Sequence, residues 1–319
     1  MKFKLIVTLG PSIIDKDKLN EIDACGDCLY RINGAHIDIK QIEKLIINVR
    51  EILPRAKIVI DLPGNKIRTN NLAEPIRLIK GKCFDLHDYE INYPICFKYI
   101  RRGDKILAND SVFKLEVIEV KKNYIKLLSH SDGILLSNKG LHIKYIYKYL
   151  PFLLEKDRQL IKLARAYNID YLSASFVRDA RDIREIKDLL AGSNIQIIAK
   201  IETAIALRNL KSIFDEVKHI LVDRGDLCTE IDILELAEIQ DRIIQFALKT
   251  NINIYLATQF LKNMENNPVP LIPELIDLCK TIKLGINGIQ LSEETSIGRY
   301  PIECIKLIFS IVKRNSLKK

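Results

Sequence analysis

Short runs of apolar residues recur along the whole chain, and most of them end in polar or charged side chains. Eight such runs cover residues 4–9, 28–33, 57–61, 171–175, 195–200, 219–222, 253–257 and 288–291. Continuous apolar runs of this length are typical of parallel strands that are buried on both faces. Eight strands of this kind suit a closed barrel, whose active site lies at the carboxyl ends of the strands. The pattern therefore indicates both a fold and the place of a site.

Segments with helical spacing of apolar residues lie between these runs. They cover residues 15–23, 39–53, 155–167, 180–190, 204–214, 233–249, 272–284 and 301–311. Alternation of strand and helix implies a parallel sheet with right-handed crossovers. The fold class that we expect is therefore α/β, as a (β/α)8 barrel of the TIM type.

One interval, residues 70–147, breaks this alternation. It contains short β-like segments at residues 75–79, 105–107, 113–120 and 124–128, separated by turn signals such as Gly103-Asp104 and Asp132-Gly133. We expect a small β-barrel domain inserted after the third strand, with residues 1–69 and 148–319 forming the main barrel. An inserted domain in this position can act as a lid that closes over the site and excludes water.

Composition and charge exclude some classes of function. The chain has 319 residues, 48% of them hydrophobic and 29% charged, and no run approaches membrane length or the core of a signal peptide. We therefore expect a cytoplasmic protein with no membrane partner. The net charge of +9 is scattered along the chain and there is no tryptophan, which favours small anionic ligands over nucleic acid. Cys25 and Cys28 form a lone CxxC, which we interpret as packing because no second ligand pair accompanies it.

The clearest candidate chemistry follows the fifth and sixth strands. Lys200 and Glu202 stand two residues apart at a strand end and so point to the same side. Asp226 follows the next strand, where we expect it to end that strand beside Glu202. Two carboxylates on neighbouring strand ends suit Mg²⁺, and Lys200 adds positive charge beside the metal. Taken singly, each of these residues also fits an ordinary solvated surface.

Basic and polar residues follow the second, third and seventh strands. Arg31 and Asn33 are again two apart, and arginine is well suited to bind phosphate. Lys66 and Arg68 follow the third strand, although a plain basic loop would look the same. Thr258, at the end of the seventh strand, could hold or relay a proton.

Taken in order, these motifs resemble the pyruvate kinase family over nearly the whole chain. The residues that carry the resemblance are Val7-Thr8-Leu9-Gly10-Pro11-Ser12, Arg31-Ile32-Asn33 with His36, Asp61-Leu62 to Arg68-Thr69, Ala174-Ser175-Phe176-Val177-Arg178, Ala199-Lys200-Ile201-Glu202, Arg224-Gly225-Asp226-Leu227, Ala257-Thr258-Gln259 with Met264, and Leu291-Ser292 with Glu294-Thr295 and Tyr300-Pro301. The family has the same architecture and transfers phosphate from phosphoenolpyruvate to ADP, forming pyruvate and ATP.

The resemblance implies a role for each matching residue. Glu202 and Asp226 would hold Mg²⁺, for which Mn²⁺ is an alternative, while Lys200 would stabilise the transferring phosphoryl group and the enolate. Arg31 would bind the phosphate. Gly225, Asp226 and Thr258 would bind the pyruvate carboxylate, and a water near Thr258 would supply the proton. The residues expected to face ADP or ATP are Asn33, His36, Arg68 and Lys139.

Several positions depart from the family pattern. Members that require K⁺ bind it at four positions, of which Ala35 and Leu62 lack a side-chain oxygen here, while Asn33 and Asp61 keep one. Lys66 stands where those members carry glutamate, so we expect its ammonium to replace K⁺. Further departures are Pro63, Asn65, Cys228, Lys262, Leu271-Ile272 and Glu293. The C-terminal domain of the usual member, with its effector site, is not expected here, and assembly into a homo-oligomer stays open.

Three hypotheses follow. The first is a Mg²⁺-dependent, K⁺-independent pyruvate kinase-like phosphotransferase. The second is a Mg²⁺-dependent lyase or aldolase acting on pyruvate or oxaloacetate, against which the phosphate-binding set Arg31, Lys200 and Arg68 argues. The third is a non-catalytic or regulatory relative that binds a phosphoenol ligand or a partner protein. Retention of Lys200, Glu202, Asp226 and Thr258 favours the first hypothesis over the third.

Overall fold

The fold is given by a computed structural model, which describes residues 3–35, 37–109, 111–144 and 146–316. Strands and helices alternate in the first part of the chain. Its elements are β1 (Lys4–Thr8), α1 (Lys16–Cys25), β2 (Cys28–Asn33), α2 (Ile39–Ile52) and β3 (Lys57–Asp61). Asp15 caps α1 by accepting the Lys18 amide, and Asp38 forms a capping box with Gln41 at the start of α2.

The residues after β3 form short antiparallel strands. These are β4 (Ile76–Leu78), β5 (Cys83–His87), β6 (Lys105–Ala108), β7 (Phe113–Val120), β8 (Tyr124–Ser129), β9 (Gly133–Leu135) and β10 (Leu141–Ile143). Five of them make one sheet in the order β10, β6, β7, β8, β5, and β4 pairs with β9. Where we expected a small barrel, the described strands therefore form a five-stranded sheet and a separate pair. The exact boundaries of the inserted domain stay a prediction.

The alternation of strand and helix then resumes. Its elements are α3 (Glu155–Ala166), β11 (Tyr171–Ala174), α4 (Ala180–Leu189), β12 (Gln196–Ile201), α5 (Ala204–Arg208), α6 (Leu210–Phe214), β13 (His219–Asp223), α7 (Arg224–Glu230), α8 (Leu236–Lys249), β14 (Asn253–Ala257), α9 (Ile272–Lys283), β15 (Gly288–Leu291), α10 (Glu293–Ser296) and α11 (Pro301–Ser316). Short 3₁₀ turns lie at Asp88–Glu90, Pro94–Lys98, Ile146–Tyr149, Ile233–Glu235 and Lys262–Glu265. Within the described ranges, no helix combines the length and the apolar character needed to span a membrane.

Eight parallel strands close into a barrel in the order β1, β15, β14, β13, β12, β11, β3, β2. This confirms the predicted fold class. Seven of these strands contribute apolar side chains to a cluster in the barrel interior, which consists of Ile6, Leu29, Val59, Tyr171, Ile198, Leu221, Tyr255 and Ala257. A larger apolar core fills the space between the outside of the strands and the surrounding helices. Burial on both faces explains why the strands read as continuous apolar runs.

Most element boundaries agree with the apolar pattern to within one or two residues. Two expected helices are divided: the one over residues 204–214 breaks at Asn209, and the one over residues 233–249 begins with a 3₁₀ turn. The short helix α7 and the strands β5, β9 and β10 have no counterpart in the sequence prediction. They are too short to show a clear period.

Candidate active site

A cavity of about 510 Å³ opens at the carboxyl ends of the barrel strands. Residues from the strand ends line most of it, and Asn138, Lys139 and Gly140 of the inserted segment line it from the other side. The period of two along each strand explains this lining. Ile198 and Leu221 point into the barrel interior, so Lys200 and Asp223, each two residues further on, point into the barrel mouth.

Lys200 is the centre of the polar cluster in this cavity. Its ammonium is 3.1 Å from Oε2 of Glu202, 3.3 Å from Oδ2 of Asp223 and 4.0 Å from Oδ2 of Asp61. It also donates a hydrogen bond of 3.2 Å to the Ser175 hydroxyl. Burial alone would lower the pKa of Lys200, but the surrounding carboxylates raise it well above its ordinary value. The side chain is therefore a fixed positive charge.

Glu202 and Asp226 lie close together, with Asp223 beside them. One carboxylate oxygen from each of the three residues lies within 4.8 Å of the others. Glu202 is fully buried, and its Oε1 accepts the Phe176 amide at 2.7 Å. Phe176 adopts a φ of 57°, a left-handed conformation that is uncommon for such a residue and that occurs here at the candidate site. In the part of the chain that the structure describes, Oε2 of Glu202 has no well-aligned hydrogen bond.

The protonation of Glu202 follows from its surroundings. Burial raises the pKa of this carboxyl, the Lys200 ammonium opposes the change, and Asp226 and Asp223 raise the pKa further. We conclude that the pKa of Glu202 lies above its ordinary range. A divalent cation would favour the charged form and so would displace this proton.

Asp226 lies in the first turn of α7, which corrects the expectation that it ends a strand. The strand β13 ends at Asp223, because the chain turns into a helix at Arg224. Lys66 contacts the carboxylate of Asp226: its ammonium is 2.5 Å from Oδ1. The cluster thus contains four carboxylates, on Asp61, Glu202, Asp223 and Asp226, and three cations, on Arg31, Lys66 and Lys200. With every one of these groups ionised, the net charge of the cluster is −1, so the cluster does not repel a cation.

Arg31 is held rigidly at the wall of the cavity. Its Nε donates to Oδ2 of Asp61 at 2.8 Å, its Nη2 lies 2.6 Å from the same oxygen, and its Nη1 donates to the Thr8 hydroxyl at 2.7 Å. Thr8 in turn donates to the Leu291 carbonyl at 2.7 Å. These contacts leave further N–H groups of the guanidinium for an anion in the cavity.

Thr258 has an unusual backbone and a fully engaged hydroxyl proton. Its φ is 80°, a conformation that is rare for a β-branched residue and that marks a strained position. The hydroxyl donates to Oδ1 of Asp223 at 2.7 Å and accepts the Gly225 amide at 3.2 Å. Two N–H groups of Arg224 bind the Thr258 carbonyl, at 3.1 Å and 2.5 Å, and Arg224 lies over the Phe260 ring. Arg224 thus stabilises the strained turn.

Of the four residues expected to face the nucleotide, the structure describes three and brings them to one cavity. Asn33, Arg68 and Lys139 all line the same cavity. Asn33 uses its side-chain oxygen to accept the Ala35 amide at 3.1 Å, and the Lys139 amide donates to the Thr69 hydroxyl at 2.9 Å. The expected contact through His36 lies outside the described residues.

Sequence reasoning missed Asp223, Arg224 and Ser175 as members of the site. The signal for Asp223 was present, since it stands two residues beyond the apolar Leu221 and so points into the barrel mouth. Ser175 carries the same signal, since it ends the predicted strand four residues beyond Tyr171 of the barrel interior. Arg224 could not be found in this way, because its role depends on its contact with Thr258 from another strand.

Comparison with known proteins agrees with this architecture. A family profile described as "Pyruvate kinase, barrel domain" matches residues 1–305. The chain is similar to pyruvate kinases from Methanocaldococcus jannaschii, with 36% identity over 98% of this chain and 69% of the relative, and from Geobacillus stearothermophilus, with 33% identity over 98% of this chain and 57% of the relative. It is also 30% identical to pyruvate kinase from Borreliella burgdorferi, over 98% of this chain and 68% of the relative. The chain belongs to the pyruvate kinase family, whose members are enzymes of the kinase type.

Proposed function

We propose that this chain transfers a phosphoryl group from phosphoenolpyruvate to ADP, giving pyruvate and ATP, with Mg²⁺ and without a requirement for K⁺. The observation that carries the proposal is that Arg31, Lys200 and Asp226 line one cavity, while the buried Glu202 contacts Lys200 and lies close to Asp226. Phosphoryl transfer needs little covalent chemistry from the protein. It depends on positioning and on neutralising negative charge, which these residues can supply.

Arg31 is the proposed anchor for the phosphoryl group. Its contacts with Asp61 and Thr8 fix the guanidinium plane, so the arginine loses little freedom when it binds an anion. Because Asp61 is itself buried, the pair is stiff and weakly screened by solvent. Arg31 would therefore orient the phosphate as well as attract it.

The carboxylate group fits a divalent cation. The oxygens of Glu202 and Asp226 are hard ligands within 4.8 Å of each other, and Oε2 of Glu202 is buried without an aligned hydrogen bond in the described residues. We propose these two residues as the holders of Mg²⁺, or of Mn²⁺ in its place. When bound, such an ion neutralises charge on the phosphoryl and enolate oxygens.

Lys200 would stabilise the charge that develops during transfer. Its ammonium is buried and held by three carboxylates, so it needs no reorganisation as the enolate forms. The enolate then needs one proton at carbon. We propose that a water near Thr258 delivers it, because the threonine hydroxyl lines the cavity beside Lys200.

The nucleotide would lie against Asn33, Arg68 and Lys139, with His36 kept as a prediction from the sequence. Arg68 lies just before the inserted segment and Lys139 near the end of it, and both line the same cavity. Closure of that segment would bring both cations to the ADP phosphates. This is the way in which lids commonly exclude water from a reacting phosphoryl group.

Independence from K⁺ rests on Lys66. Its ammonium contacts Asp226, and the carboxylate of Asp61 is paired with Arg31. A fixed ammonium beside the metal carboxylate can supply the positive charge that a monovalent cation supplies elsewhere. The absence of side-chain oxygens at Ala35 and Leu62 supports the same proposal.

The test is a coupled assay for ATP formation from phosphoenolpyruvate and ADP, with Mg²⁺ and with no potassium. We expect turnover under these conditions, and loss of turnover when a chelator removes Mg²⁺. A second arm follows cleavage of oxaloacetate without ADP. Oxaloacetate cleavage without ATP formation would replace the proposal with a lyase. No reaction in either assay would reject a catalytic function.

A further inference from the structure

Asp223 bridges two residues of the candidate active site with its two carboxylate oxygens. Oδ1 accepts the Thr258 hydroxyl at 2.7 Å, and Oδ2 lies 3.3 Å from the Lys200 ammonium. The side chain lines the cavity and is 15% exposed, so the charge faces the place where a ligand would lie. In the roles proposed above, Asp223 serves only as one of the three carboxylates that hold Lys200.

The consequence is a shortage of donors for a ligand carboxylate. A threonine hydroxyl has one proton, and Thr258 donates it to Asp223. The Gly225 amide donates to the oxygen of the same hydroxyl, at 3.2 Å. Thr258 and Gly225 are two of the groups that the family resemblance assigns to the substrate carboxylate. In this structure their protons point to partners within the chain.

We propose that Asp223 is a specificity-determining residue, whose carboxylate occupies the place prepared for a ligand carboxylate and disfavours ligands of that class. The inference rests on the proposed function, because it takes phosphoenolpyruvate as the substrate. To bind, the substrate must displace Asp223 from Thr258, or bind without the threonine hydroxyl. In either case two like charges come close together in a pocket that solvent screens only weakly.

A simpler role for Asp223 would be that of a third metal ligand. Its oxygens lie near those of Glu202 and Asp226, within 4.8 Å. Its Oδ1, however, accepts the hydroxyl of Thr258, a group that the family resemblance assigns to the substrate carboxylate. The contact with Thr258 is one that a ligand carboxylate would make, which favours competition with the ligand over coordination of the metal.

The experiment measures binding of phosphoenolpyruvate by calorimetry, with Mg²⁺ and without ADP, to the parent protein and to two variants. Asp223→Ala removes both the charge and the side-chain oxygens, whereas Asp223→Asn removes the charge and keeps an acceptor for Thr258. We expect about tenfold tighter binding for Asp223→Ala, equivalent to about 1.4 kcal/mol, and a smaller gain for Asp223→Asn. Because the asparagine variant preserves the shape of the side chain, it keeps the test valid if the alanine variant does not fold.

Two controls make the result specific. Glu216→Gln removes one negative charge on the outer surface, where Glu216 pairs with Arg184 and Lys187, and should leave the affinity unchanged. In the background of Thr258→Val, Asp223→Ala should tighten binding no more than Asp223→Asn does in the parent protein, because the charge is removed but no hydroxyl proton is released. A full tenfold gain without the hydroxyl would show that Asp223 does not act through Thr258, which overturns the proposal.

The remaining outcomes separate this inference from the proposed function. Equal or weaker phosphoenolpyruvate binding in both Asp223 variants overturns the inference, even if the parent protein forms ATP. Tighter binding in the variants supports it, even if no protein forms ATP. Mn²⁺ binding, followed by electron paramagnetic resonance, gives a readout that is independent of activity: a loss of about tenfold or more in Asp223→Asn would identify a metal ligand and overturn the inference.

Discussion

The ammonium of Lys66 lies 2.5 Å from Oδ1 of Asp226, although 160 residues separate the two in the chain. Lys66 follows β3 on the way into the inserted strands, and Asp226 lies in the first turn of α7. Gly140, at the end of the inserted segment, packs so closely on Lys66 that an added Cβ would lie 2.8 Å from its Cε. The contact therefore joins the inserted segment to a carboxylate proposed to hold the metal.

Replacement of this lysine tests its role as a substitute for K⁺. In Lys66→Met we expect turnover to fall about 10- to 100-fold, because a fixed positive charge beside the reacting groups is lost. Added KCl should restore little, since Ala35 and Leu62 offer no side-chain oxygen. The measurement compares ATP formation in KCl and in tetramethylammonium chloride at equal ionic strength. Lys44→Met, on the exposed face of α2, is the matched control. Strong activation of the parent protein by KCl would contradict the proposal.

Lys200→Met should lower the turnover number about 1000-fold, because the developing charge on the enolate loses its buried counter-charge. The KM for phosphoenolpyruvate should change less than the turnover number. Steady-state kinetics separate the two effects, and circular dichroism checks that the fold persists. Lys187→Met, which removes a partly exposed lysine paired with Glu216 on the outer surface, should keep full activity. Normal turnover in Lys200→Met would remove this residue from the mechanism.

Binding of Mg²⁺ should release a proton, because burial and the neighbouring carboxylates hold the pKa of Glu202 above its ordinary value. At neutral pH part of this carboxyl is protonated, so the apparent affinity for the metal should rise as the pH rises. Calorimetry in two buffers with different ionisation enthalpies measures the number of protons released.

Glu202→Gln is the matched variant for this measurement. It should bind Mg²⁺ more weakly and release no proton from this position. Proton release of equal size in the variant would assign the titrating group to another residue. Because the readout is the proton count, the experiment does not depend on catalytic activity.

Stability should fall at acid pH through His219. Burial, with smaller effects from Lys4 and Lys218, lowers the pKa of His219 to about 4, below the usual value of about 6.5 in an unfolded chain. Between these values the unfolded state binds more protons, so the free energy of unfolding decreases as the pH falls from about 6.5 to 4. From pH 7.5 to pH 5 we expect this group to contribute a loss of about 2 kcal/mol.

Urea unfolding at the two pH values measures this loss. His219→Phe should lose about 2 kcal/mol less than the parent protein over the same interval, because the variant has no imidazole to protonate. The phenylalanine ring of the variant should still pack between Tyr171 and Tyr255, whose ring centroids lie 5.4 Å and 6.1 Å from that of His219. An equal loss in both proteins would show that other groups control acid stability.

Much of the barrel could be predicted because one physical rule governs it. Strands that are buried on both faces must be apolar along their length, so β2, β3, β14 and β15 appear in the sequence with the bounds that the structure has. The inserted strands β5, β9 and β10 were missed. They are short and only partly apolar, and their pairing partners are distant in the chain.

The sequence by itself determined the barrel, the insertion after the third strand and several side chains at the strand ends, such as Arg31 and Lys200, because a period of two requires only local geometry. It placed Asp226 wrongly at the end of β13, where Asp223 stands. Tertiary structure decided which of those side chains meet. Asp223 lies between Lys200 and Thr258, and Lys66 contacts Asp226, because strand order and the α7 turn bring together groups that no local pattern connects. Charge balance and hydrogen bonding in the site depend on these distances, which only the closed barrel sets.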